Sequence, residues 1–139
     1  LNDKQANLLR IAVATLLALI LLPVAWYAVS LGFVRLGYAL GGEEMLEAMV
    51  KVSWFVGPPV GGFVALWAAG VLVRGAPLHR VFQAFAAFVL VMFVMGVLAL
   101  YLGAGMTEGM LILGMFGQLF LVLGAAWAGK RVAERARGA

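Results

Sequence analysis

SWFVGPPVGGFVALWAAG, residues 53–70, is the stretch whose reading decides the fold. It is apolar enough to cross a bilayer, yet it carries two adjacent prolines and four glycines. Proline has no N–H to donate and disfavours helical geometry in the residue before it. In Gly57-Pro58-Pro59 a continuous helix therefore loses two hydrogen bonds. Prolines are harmless in a helix's first turn, so the pattern predicts a new helix starting at Pro58 or Pro59. From there to residue 73 the chain rises only about 22 Å at ~1.5 Å per residue, short of the ~30 Å hydrocarbon core. The residues before the prolines must supply the rest of the crossing. The expectation is a kinked or broken second membrane helix with free carbonyls near Trp54 and Phe55, which need partners from protein or water.

The surrounding composition points to lipid as the solvent. Of 139 residues, 65% are hydrophobic and 12% charged, with a mean hydropathy of +1.09. Soluble domains are about half apolar and a quarter charged. Four apolar blocks, at 8–34, 52–73, 81–102 and 110–129, are each near the ~20 residues needed to span. The first begins like a signal peptide, but its apolar run is longer than a signal core and reads as a retained helix. The predicted fold class is all-α: one integral membrane domain over 1–139, a four-transmembrane-helix bundle with a basic tail at 130–139.

Four crossings put both termini on one side, and the basic residues choose that side. Lys4, Arg10, Arg74, Arg80, Lys130, Arg131, Arg135 and Arg137 share one face, against Arg35 and Lys51 on the other. The positive-inside rule places the termini in the cytoplasm, and a bacterial or archaeal plasma membrane is expected. Glu43, Glu44, Glu47 and Glu108 fall on the outer face. Trp26, Tyr27, Trp54 and Tyr101 near the outer ends, and Trp67 and Trp127 near the inner ends, suit interfacial depths. The one long loop contains GGEEMLEAMVK, residues 41–51. It predicts a short amphipathic helix that lies along the outer interface or runs into the second crossing, with Glu47 and Lys51 paired at i, i+4.

Two strips of small residues suit helix packing. Ser53, Gly57, Gly61, Ala65 and Ala69 recur every fourth residue and include a GxxxG pair. Gly114, Gly117, Leu121, Gly124 and Ala128 follow a 3-4-3-4 spacing on the fourth helix. Together they exceed the minimum for one isolated bundle, so two arrangements stay open: one strip contacts another subunit or a second copy, or both pack inside the chain.

The search for chemistry returns little. There is no cysteine, which excludes disulfides and thiolate chemistry. No ionisable residue lies well inside any block, which disfavours coupling through a membrane carboxylate. The single histidine, His79, sits in a basic loop and reads as solvated. No catalytic residue, metal site or cofactor is predicted. Gly-rich 102–109 has the wrong spacing for a phosphate loop, and Met92, Met95, Met106, Met110 and Met115 lack the companions of a copper site. Gln118, nearest to mid-membrane, reads first as a packing hydrogen bond. With Pro58, Pro59 and Trp54 it is the candidate polar or substrate-contacting set. The tail would meet anionic lipid at about 1 kcal/mol per charge.

The expected function is a non-enzymatic accessory or scaffold subunit acting through helix–helix contacts in a larger membrane assembly. Its expected partners are membrane lipid and other membrane subunits or further copies, not nucleic acid. The alternatives are a small homo-oligomeric channel or transporter using the Gly57-Pro58-Pro59 break and Gln118, and a holin-like permeabilising protein.

Overall fold

The structure, a computed structural model, describes residues 2–103 and 109–138. Among these the chain is all-helical: α1 (Asp3–Leu40), α2 (Glu43–Leu72), α3 (Leu78–Gly103) and α4 (Gly109–Gly138). All four are long and apolar enough to cross a membrane. At ~1.5 Å per residue each exceeds the ~30 Å core. Glu108, Met106 and the Met110 side chain lie outside the described residues, as does most of the glycine-rich stretch at 102–109.

Local chemistry explains the helix ends. Asn2 caps α1 by accepting from the Gln5 backbone N–H at 2.8 Å, while the Gln5 side chain accepts from the Asn2 N–H at 3.3 Å, a reciprocal capping box. The α1–α2 connection is only Gly41-Gly42, with φ of 78° and 86°, values that favour glycine. Glu43 and Glu44 then fill the first turn of α2, where the helix dipole favours negative charge. Glu47 and Lys51 pair at 3.5 Å on the exposed surface.

Residues 43–51 take the second of their two expected arrangements: they are no separate interfacial helix but run into the second crossing as the first turns of α2. One expectation is corrected: no new helix starts at Pro58 or Pro59, because α2 is helical through both. Lost hydrogen bonds at two successive residues do not end a helix that is packed on both sides. The basic stretch after residue 129 continues α4 as helix to Gly138.

The central element is α2, which packs extensively on α1 and on α4, while α3 touches α1 and α4 more lightly. The α1–α2 pair is antiparallel: Gly37 lies at Leu46, Trp26 at Gly57 and Leu22 at Gly61. The α2–α4 pair is parallel, with Trp54 at Gln118, Gly62 at Val122 and Gly70 at Ala133. The buried core is Ala14, Ala18, Ala65, Leu66, Ala69, Ala76, Val81, Phe85 and Ala126. It sits toward the end of the bundle that carries both termini. The buried residues of α3 are Leu78, Val81 and Phe85, all in its first third. Beyond them Val89 still packs against the core, but only 6% of the apolar window of α3 is buried, against 44% for α2.

Candidate functional site

The half of the bundle remote from the termini is built around the proline step. Pro58 carries no N–H, so the carbonyl of Trp54 one turn earlier has no helical donor. The Gln118 side-chain amide of α4 supplies one: its Nε2 donates to the Trp54 carbonyl oxygen at 2.7 Å. Pro59 frees the Phe55 carbonyl in the same way, and among the described residues no side chain donates to it. A carbonyl left open at membrane depth is costly, so the α2–α4 bond replaces part of what the prolines removed.

On the other side of α2, the indole of Trp26 covers Gly57. A Cβ at Gly57 would stand 2.8 Å from Trp26 Nε1, closer than packed atoms tolerate. The proline step is thus held between an α1 indole and an α4 amide.

Between these groups and α3 lies a cavity of about 820 Å³, lined in part by Trp26, Trp54, Pro58, Met92, Phe93 and Gln118. An edge-to-face pair, Phe93 and Phe116 with centroids 5.1 Å apart, joins α3 to α4 beside it. No lining residue is ionisable. The cavity therefore has the chemistry to hold an apolar molecule and to fix one hydrogen bond through the Gln118 amide or an indole N–H. Among the described residues it has no acid, base or nucleophile. Among the described residues no three His, Asp or Glu side chains cluster to hold a metal ion, and Met92 and Met115 share this wall without a nitrogen ligand.

The two small-residue strips have different surroundings. Ser53, Gly57, Gly61, Ala65 and Ala69 are all buried. A Cβ at Gly61 would meet the Leu22 carbonyl oxygen at 2.7 Å. Gly114, Gly117, Leu121, Gly124 and Ala128 are all exposed, and a Cβ at any of the three glycines would meet nothing within 4 Å. The face of α4 that packs on α2 is instead Leu119, Val122, Ala126, Gly129 and Ala133. Gly129 abuts the Phe63 backbone, and a Cβ at Gly62 would lie 2.7 Å from the Val122 carbonyl oxygen. This second strip was missed in the sequence, although it has the same heptad-like spacing and three small residues. The glycines of the first strip drew attention away from it.

Arg137 was also missed as a structural group. Its guanidinium donates to three carbonyls at the end of α2 and in the following turn: Gly70 at 3.0 Å, Val73 at 2.6 Å and Ala76 at 2.6 Å. These oxygens lack helical donors, and a planar fork suits them. Nearby, Lys130 is buried, pairs with Glu134 at 3.2 Å and lies 3.8 Å over the Trp127 ring. His79 shares a 3.2 Å hydrogen bond with Gln83 on the exposed face of α3.

No family model, curated protein or solved structure matches this chain.

Proposed function

We propose that the chain is a non-enzymatic integral membrane accessory or scaffold subunit that works through helix–helix contacts in a larger assembly. The observation that supports this most is the bare strip of α4. A glycine inside a helix costs about 1 kcal/mol relative to alanine. At Gly57, Gly61, Gly62 and Gly129 close helix contact offsets that cost within the chain. At Gly117 and Gly124 nothing among the described residues does, and Gly114 borders the open cavity beside Gln118. Gly32 and Gly96 are equally open, but they stand singly, whereas the α4 three share one strip. Such a surface suits close approach of another helix backbone. In this reading Pro58-Pro59 is a kink that shapes the bundle, and Gln118 braces it. Residence in a bacterial or archaeal plasma membrane with cytoplasmic termini belongs to the same reading, supported by the charge asymmetry.

The test is extraction in mild detergent or native lipid nanoparticles, followed by mass spectrometry of intact complexes. A larger species, either a second subunit or further copies, is expected. Introducing Gly117→Leu and Gly124→Leu together is expected to remove it while the monomer's melting temperature stays close to the parent's. A monomer under every extraction condition contradicts the proposal.

The cavity beside Gln118 favours a second reading, a small channel or transporter for an apolar solute. This reading expects Gln118→Leu to abolish flux in proteoliposomes with assembly intact. Absence of flux for lipophilic solutes under any gradient removes it.

A further inference from the structure

The end of the bundle that carries the termini holds a second cavity, of about 570 Å³, lined by Gly70, Val71, Arg74, Gly75, Ala133, Ala136 and Arg137. Its charged groups come from different parts of the chain. Arg74 lies in the turn after α2, and Arg137 lies in the last turn of α4. Arg10 of α1 reaches the same point: its Nη1 is 3.5 Å and its Cζ 3.7 Å from where a Cβ on Gly75 would stand. The Arg10 and Arg137 guanidinium groups therefore approach the Gly75 turn, and Arg74 beside it lines the same cavity. Among the described residues no carboxylate lines the cavity. The acid nearest in sequence to Arg137, Glu134, pairs with Lys130 and also offsets part of the Arg137 charge, while no acid pairs with Arg10 or Arg74 among the described residues.

Arginine keeps its charge in proteins, so gathering three at one cavity is unfavourable unless an anion joins them. Among the described residues Arg10 and Arg74 make no hydrogen bond or ion pair, and Arg137 commits three N–H donors of its five to carbonyls. The positive-inside rule explains why basic residues lie at this end. It does not explain why three of them gather at one cavity.

We infer that this cavity binds the phosphate group of an anionic membrane phospholipid, held by Arg74 and the free N–H groups of Arg137 with Arg10 at the mouth. Guanidinium and phosphate match in geometry and charge, and basic pockets between helices at the membrane surface suit lipid headgroups. The surroundings select a lipid over free phosphate. Val71, Ala133 and Ala136 form apolar walls, and Leu72 beside them is 67% exposed, a surface for an acyl chain.

The experiment uses the full chain, delipidated and placed in nanodiscs of phosphatidylcholine with or without phosphatidylglycerol. Bound lipid is read by native mass spectrometry over a titration. The parent is expected to retain phosphatidylglycerol in preference to phosphatidylcholine. Arg74→Gln and Arg10→Gln should each weaken that retention about 5-fold, and the pair about 30-fold. Arg74→Lys should keep most of it. Arg135→Gln, an equal change of net charge outside the cavity, should change it less than 2-fold, roughly the rim effect of one screened charge. The inference is overturned if the double variant matches Arg135→Gln, or if the parent shows no preference for the anionic lipid. A parallel titration with inorganic phosphate alone separates the sources. Saturable phosphate binding without phosphatidylglycerol preference overturns the lipid assignment. Arg137→Gln is left out of the series because it also removes the fork on the α2 carbonyls. Melting temperatures of the variants show that lost retention is not lost folding.

Discussion

The Gln118 side chain donates to the Trp54 carbonyl across 64 residues of sequence at 2.7 Å, and Trp54 is the residue whose helical donor Pro58 eliminates. A polar side chain of α4 and one of the two backbone oxygens that the prolines leave without a helical donor are the two ends of one bond. Gln118→Leu is expected to destabilise the protein by about 1–2 kcal/mol, from the lost bond and the stranded oxygen. Pro58→Ala restores an N–H to that oxygen. The cost of Gln118→Leu should therefore shrink in the Pro58→Ala background. Unfolding titrations in mixed micelles measure this cycle, and equal costs in both backgrounds would show that the bond does not serve the freed carbonyl.

Gly61 and Gly124 form a contrasting pair. A methyl on Gly61 would press on the Leu22 carbonyl at 2.7 Å, while one on Gly124 meets open space. Gly61→Ala is expected to cost about 1–3 kcal/mol through overpacking against backbone. Gly124→Ala should be neutral or stabilise by up to ~1 kcal/mol through helix propensity. Thermal unfolding of the two variants in one detergent checks the contrast.

Arg137 holds Gly70, Val73 and Ala76 in one guanidinium fork. Arg137→Lys keeps the charge but has no planar fork, so it should behave like a loss variant. Amide exchange over residues 71–78 is expected to rise at least tenfold in Arg137→Lys, which corresponds to losing about 1.4 kcal/mol of local stability. Unchanged exchange there would show that the turn holds without the fork.

Thr15 is 4% exposed, and its hydroxyl has no hydrogen-bond partner. It follows Ala14 of the buried core in the chain. An isosteric apolar replacement removes a desolvated polar atom without opening a void. Thr15→Val should therefore leave stability unchanged or raise it by about 1 kcal/mol, read from the same unfolding curves. A loss of more than ~1 kcal/mol would mean that the hydroxyl is satisfied after all.

Much of the frame is legible one residue at a time. Apolar block length predicts four helices, and the Gly41-Gly42 pair marks the one tight turn between α1 and α2. The need for a donor near Trp54 and Phe55 also follows from Pro58 and Pro59 alone, since a missing N–H is a covalent fact. The outcome at the prolines was less legible. Propensity argues for a helix start there, yet α2 continues, because Trp26 and Gln118 support it from both sides.

The packing faces of α4 mark the limit. Residues 114, 117, 121, 124 and 128 and residues 119, 122, 126, 129 and 133 share one periodicity, offset by five positions. Five positions are about 140° around a helix beyond one full turn, so the strips face well apart. Both contain small residues, and nothing local says which one meets α2. The Arg137 fork and the gathering of Arg10, Arg74 and Arg137 at one cavity are equally invisible, because they join segments more than 60 residues apart.

The sequence by itself therefore determined what is local or additive: apolar length, helix count, charge asymmetry and the oxygens that proline leaves without donors. Only the tertiary structure decided which donor answers Trp54, which face of α4 is spent on α2 and where the arginines gather. Those outcomes depend on the relative rotation and register of whole helices, and that is set by summed packing along Gly57, Gly61, Gly62 and Gly129 rather than by any one residue's preference.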